Sequence, residues 1–157
     1  DQPRSRGLGD VYKRQDFVLD LAGFFEDIYK KQVEELEQLG IAHFYGFQSD
    51  PRPFYTEADC VVLPSYHEGM SNVLLEAAAT GRPVITSNIP GCRESVENGK
   101  SGLLVEVKNK EMLYQAMKKM LHCSREEREK MGKAGREKMK REFRKEAVVE
   151  RTVRSLK

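Results

Sequence analysis

The sequence predicts an α/β domain: a Rossmann-like parallel sheet flanked by helices. Two observations carry this. Short apolar runs recur along the chain, separated by segments of helical spacing, which is the rhythm of crossover connections between parallel strands. The segment 73–79, VLLEAAA, is apolar on nearly every side, so a helix there must be buried, for instance against a sheet. Length fits one domain: 157 residues bury roughly two-thirds of their unfolded surface. With 39% apolar and 33% charged residues the chain reads as globular, and no apolar run approaches the ~20 residues of a bilayer span.

The elements follow in order. Residues 17–22, FVLDLA, form an apolar run closed by Gly23, a buried strand. Ile28, Val33, Leu36 and Leu39 recur at helical spacing over 27–39, and Gly40 stops that helix. Residues 41–45 are a second strand ending at Gly46. A short helix over 50–58 has Pro51 and Pro53 near its start. Residues 60–63 make a third strand, broken at Pro64. The helix over 71–80 is capped by Ser71 or Asn72 and ended by Gly81 and Pro83. A fourth strand covers 84–87, a turn 88–91, one helical turn 92–96 and a fifth strand 103–105.

From Asn109 onward the reading is helical. Met112, Ala116, Met120 and Leu121 form one stripe; Met131, Ala134, Met139 and Phe143 form a second. Val148, Val149, Thr152, Val153 and Leu156 form a terminal apolar face. Methionine-rich stripes read as packing surface, since thioethers fill irregular gaps.

Net charge is +2, but it is divided. Residues 16–107 hold six basic against fifteen acidic residues, and 108–157 hold seventeen against eight. The basic segment reads first as the solvated face of amphipathic helices, with Glu126 to Lys130 and Glu137 to Arg141 at pairing distance. Contact with an anionic membrane surface is a second reading. Nucleic acid is the weakest, because few aromatics interleave the charges. Residues 1–15 carry six charges and no periodicity. The stretch 5–15, SRGLGDVYKRQ, resembles the translated transposase adapter of a sequencing library, which makes 1–15 an expected non-native tail. Cys60, Cys92 and Cys123 lie far apart without a CxxC pair, which argues against a disulfide framework and for a reducing cytoplasm.

The loop after the third strand carries the chemistry. Ligands of parallel sheets bind beyond the carboxyl ends of strands. There stands 64–72, PSYHEGMSN, followed at once by the buried helix. Gly69 admits close backbone approach, and the first helical amides lack intrahelical acceptors, so the two together can hold phosphate. Glu68 and Glu76 are eight residues apart, ~12 Å at helical rise. That is too far for a retaining glycosidase pair at ~5 Å. It suits carboxylates gripping hydroxyls at either end of a diphosphate. A surface acid and an unrelated helix acid would give the same spacing.

The run 43–107 resembles the donor-binding half of a retaining family 4 glycosyltransferase of the GT-B fold. The resembling blocks are YGF at 45–47, ADCVVLPS at 58–65, EGMSNVLLE at 68–76, AAATGRPVI at 77–85, PGCRE at 90–94 and NGKSGLL at 98–104. A Glu-x7-Glu match alone is weak; between a strand ending in Pro-Ser and an EAxxxGxPVI block it is specific. The resemblance extends over 16–157, making 16–107 the expected nucleotide-sugar-binding domain and 108–157 its C-terminal helices.

The resemblance implies roles. Glu68 would hold the donor sugar's hydroxyls at the reaction centre, and Glu76 the ribose hydroxyls. The amides of Gly69, Met70, Ser71 and Asn72 would face sugar and diphosphate, stabilising charge on the leaving group. Phe47 and Gln48 would border the base. The donor would be a nucleoside-diphosphate sugar, most simply a UDP-sugar, and no metal or other cofactor is implied. The acceptor would be a saccharide or lipid-linked saccharide in surface-polysaccharide assembly, at the cytoplasmic face of the membrane. Members of the family have an N-terminal acceptor domain and an Arg/Lys-bearing first strand that find no match here, so the chain is expected to be truncated and inactive alone. A non-catalytic nucleotide-binding domain on the same fold is the alternative, and a GT-B sugar-nucleotide epimerase would not be expected to carry the whole run of blocks.

Other candidates are weaker. His67 adjoins Glu68, but a lone loop histidine more often positions or is solvated; His43 and His122 read as structural. Cys60, in an apolar strand, reads as a core thiol. Cys92 has no neighbouring base to make it a nucleophile. Arg93 and Glu94 read equally as pocket lining or a local ion pair, and Asp59 as a turn residue. No GxGxxG or GxxxxGK[ST] occurs, against a dinucleotide dehydrogenase or P-loop enzyme.

Overall fold

The computed structural model describes residues 17–144 together with Val153 and Arg154. The expected tail at 1–15 and most of the terminal apolar face lie outside these residues. The chain divides into two compact units, Asp1–Pro51 and Arg52–Lys157.

In the first unit, β1 (Leu19–Ala22) pairs in parallel with β2 (Ala42–Gly46), Leu19 opposite Ala42. The connection begins as a 3₁₀ turn, Asp27–Tyr29, where the sequence predicts α-helix, and continues as α1 (Lys30–Gln38). Its end follows from glycine. Gly40 takes a φ of +70°, which lets its own N–H reach the Glu37 carbonyl at 2.9 Å and the Ile41 N–H reach that of Leu36 at 2.9 Å. This double closure returns the chain into β2. Ile41 and Ala42 are buried there, while Phe24, Ile28, Tyr29 and Phe47 are exposed.

In the second unit, α2 (Arg52–Glu57), β3 (Val61–Leu63), α3 (Asn72–Ala79), β4 (Val84–Ser87) and β5 (Gly102–Val105) are followed by α4 (Lys110–His122) and α5 (Arg125–Glu142). A 3₁₀ turn at Arg93–Ser95 stands where one helical turn is expected. The strands run parallel in the order β3-β4-β5, with Val61 opposite Val84 and Val84 opposite Gly102. All four residues of the central strand β4 are buried.

Alternation along β4 creates two cores. Val84 joins Tyr55, Leu74, Ala77, Cys92 and Val96 on the α3 side. Ile85 joins Leu103, Val105, Ala116 and Met120 on the α4 side. Helices thus cover both faces, as the apolar α3 segment requires. The first predicted stripe is out of phase: Met112 and Leu121 are 39% and 44% exposed, while Leu113 and Met117 pack inward beside Ala116 and Met120. That inward set keeps the i, i+3, i+4, i+7 spacing of one helix face.

In α5 the inward face includes Gly132 and Gly135 as well as Met139. A Cβ on Gly132 would stand 1.9 Å from the Gly81 carbonyl oxygen, so this helix seats against the backbone that ends α3. The anticipated pairs Glu126–Lys130 and Glu137–Arg141 do not form. Arg125 pairs with Glu129 instead, Lys140 with Glu137, Lys138 with Glu142, and Arg141 with Glu97. Ser124 and Glu127 close a capping box that starts α5. Among the described residues no helix is long and apolar enough to cross a membrane.

Candidate active site

The loop from Pro64 to Ser71 leaves the carboxyl end of β3 and feeds α3. Ser71, 4% exposed, is the N-cap: its Oγ accepts from the Leu74 N–H at 3.4 Å. This settles the choice between Ser71 and Asn72 in favour of the residue whose extended backbone suits a cap.

Within the loop, Tyr66, His67, Glu68 and Gly69, facing Ile89 and Pro90 from the β4 side, line a cleft of about 480 Å³. Two turns hold its walls together. Gly91, at φ +90°, brings its carbonyl to the Ser71 N–H at 3.1 Å, and its own N–H donates to Glu94 Oε2 at 2.8 Å. A Cβ on Gly91 would lie 1.7 Å from the Gly69 carbonyl oxygen, so only glycine allows this approach.

The two sequence-predicted carboxylates are each held. Ser65 Oγ donates to Glu68 Oε1 at 2.8 Å. The Tyr55 hydroxyl donates to Glu76 Oε2 at 3.1 Å. Both glutamates are exposed. Between them lies the N-terminus of α3. Of the four amides expected to face a ligand, that of Ser71 is engaged by Gly91. Those of Gly69, Met70 and Asn72 have no acceptor among the described residues. Met70 is 49% exposed, and Gly69 and Asn72 are exposed as well. Open amides at a helix start, flanked by two oriented carboxylates, can bind an anion that carries hydroxyls at either end.

Phe47 and Gln48 belong to the first unit. Phe47 is 65% exposed and stacks on Phe24 at 5.6 Å between ring centroids; Gln48 Nε2 donates to the Tyr45 carbonyl at 2.8 Å. His67 lines the cleft and His43 lies 3.7 Å from Asp20. Arg93 is exposed, and Glu94 turns to the Gly91 amide rather than forming an ion pair with it. Burial pushes the Cys60 thiol up to about 12 and raises that of Cys92, so neither is an activated nucleophile.

Two neighbours of the site, Tyr55 and Lys108, carry no local motif, and Ser65, which ends the Pro-Ser strand block, shows its bond to Glu68 only in the folded chain. Lys108, at φ +61°, places its Nζ 5.3 Å from the Tyr66 ring centroid at the cleft.

Comparisons with known proteins bear on the family and the fold. The family model for "Glycosyl transferases group 1" matches residues 8–138. A "Lipopolysaccharide core biosynthesis glycosyltransferase LpsE" of Rhizobium meliloti (strain 1021) is 30% identical over 124 residues, covering 79% of this chain and 36% of its own. The "Capsular polysaccharide biosynthesis glycosyltransferase CapM" of Staphylococcus aureus is 35% identical over 95 residues, 60% of this chain and 25% of its own. The chain therefore spans only about a third or less of the length of these relatives. Among solved structures, sucrose-phosphate synthase from Thermosynechococcus elongatus superposes with a TM-score of 0.73 at 28% identity, over 88% of this chain and 38% of that one. With its parallel strands, flanking helices and matched family model, the chain belongs to the group 1 glycosyl transferases and has their GT-B fold.

Proposed function

We propose that this chain is the donor-binding domain of a retaining, family 4 glycosyltransferase and that the cleft beside α3 takes a nucleoside-diphosphate sugar. The observation that carries the reading is the pair Glu68 and Glu76, each oriented by a hydroxyl, on either side of open amides at a helix N-terminus. Glu68 holds the sugar hydroxyls beside the reacting carbon. Glu76 accepts from the ribose. The amides of Gly69, Met70 and Asn72, with the α3 dipole, take the diphosphate and stabilise the charge that develops on it as the sugar leaves. Phe47 and Gln48 are proposed, on the family resemblance, to border the base.

A hexosyl or N-acetylhexosaminyl group would pass from UDP to a saccharide or lipid-linked saccharide in polysaccharide biosynthesis. The enzyme would work in the cytoplasm, with peripheral contact at the membrane through its basic helices. The nucleotide sugar is substrate, and no resident cofactor is invoked. Because the chain spans 36% of the LpsE relative, donor binding is assigned to it, and transfer is expected to need a longer polypeptide.

Titration of the chain with UDP, UDP-N-acetylglucosamine, GDP and ADP tests this. Saturable UDP binding, weakened about 10-fold by Glu76→Ala, is the expected result. A folded chain indifferent to all four nucleotides would sink it.

A further inference from the structure

Tyr55 ties α2 to the proposed site. It lies on α2, is 3% exposed and packs with Leu74 and Ala77 of α3. A buried phenol needs a partner for its hydroxyl. Here that partner is Glu76 Oε2, on a side chain otherwise facing solvent. The main chain of α2 is anchored independently. Arg82, just beyond the end of α3, donates from Nε to the Tyr55 carbonyl at 2.8 Å and from Nη2 to that of Thr56 at 2.7 Å. The hydroxyl thus sits on a braced backbone and a packed ring, and it fixes one carboxylate oxygen of a side chain that would otherwise sample many rotamers. The other oxygen, Oε1, is left to accept.

We propose that Tyr55 is a positioning residue that presets Glu76 for the ligand's vicinal hydroxyls. The inference rests on the reading of Glu76 as the ribose-binding group. Preorganisation of this kind raises affinity by removing an ordering cost at the moment of binding. Its signature is therefore selective: losing the Tyr55 hydroxyl weakens recognition of the hydroxyls on the ligand, and leaves recognition of the phosphates.

The experiment compares the dissociation constants of UDP and 2′,3′-dideoxy-UDP on the whole chain. The wild-type ratio is expected to be about 10 or more, and Glu76→Ala to bring it near 1. Tyr55→Phe keeps the ring and is expected to bring the ratio to about 3 or below, with the affinity for dideoxy-UDP unchanged. Should that variant fail to fold, Glu76→Asp asks the same question on the surface. It keeps the charge but cannot reach Tyr55 and the ligand together, so its ratio should also fall. A wild-type ratio near 1, or no UDP binding, overturns both the donor-site reading and this inference. A high ratio that Glu76→Ala abolishes but Tyr55→Phe, or Glu76→Asp in its place, preserves overturns the inference alone.

Discussion

The two units of the chain share one local grammar, strand, helix and parallel strand, yet differ in what that grammar buries. In Arg52–Lys157 the central strand β4 has a neighbour on each edge and a helix layer on each face, and all of its residues are inside. Among the described residues of Asp1–Pro51, two strands and one α-helix bury Ile41 and Ala42, while Phe24, Phe25, Ile28, Tyr29, Tyr45 and Phe47 are exposed. A parallel pair gains little from hydrogen bonding alone; burial on both faces is what stabilises such sheets. Matching sequence patterns therefore do not mean matching stability.

Hydrogen exchange is the strongest way to break this comparison. The amides of β4 should exchange about a thousandfold more slowly than those of β1, because opening β4 exposes both cores. Equal protection in the two strands would remove the distinction.

Core truncation sharpens it next. Leu74 is fully buried between α3 and the sheet, so Leu74→Ala should cost about 3 kcal/mol by denaturant unfolding. Leu21, only half-buried in β1, should cost about 1 kcal/mol.

The glycines of α5 give a smaller contrast within the second unit. Gly132→Ala should lose about 2 kcal/mol despite alanine's better helix propensity, since its Cβ meets the Gly81 carbonyl. At Gly135 the nearest atom would be 3.6 Å away, an ordinary contact, so Gly135→Ala should be neutral or gain up to about 1 kcal/mol. Loss at both positions would mean that the α3–α5 seam is tighter than these distances allow.

The smallest effect is electrostatic. A hydrogen bond from Lys100, aided by Arg141, holds the half-buried Glu97 carboxyl below its ordinary value. A lowered carboxylate stabilises above its unfolded pKa and loses that contribution as pH falls through the folded one. The melting temperature of Glu97→Gln should thus lie slightly under that of wild type near neutrality, and the gap should close in acid. A gap that widened on acidification would contradict the assignment.

Much of the site was legible because its signals are local. The capping serine, the glycine-bearing loop and the unbroken apolar helix lie within 64–80, and a helix N-terminus declares itself over a few residues. The phase of α4 was not legible, because Met112 and Leu121 are as apolar as Leu113 and Met117, and only the packing partner selects among them. Nor was the loss of the Ser71 amide to Gly91, which comes from a turn twenty residues on. In the sequence Tyr55 is one aromatic on a short helix, and its bond to Glu76 exists only once α2 and α3 pack together.

By itself the sequence determined the kinds of elements, their order, and the loop where two carboxylates flank a helix start. These follow from periodicity, glycine, proline and capping residues, whose effects reach one or two turns. The tertiary structure alone decided that, among the described residues, the strands pair as β1-β2 and β3-β4-β5, that α5 seats on glycine, and which hydroxyl orients each glutamate. Those outcomes depend on groups far apart in the chain meeting at hydrogen-bond or van der Waals distance, and no short-range pattern encodes that meeting.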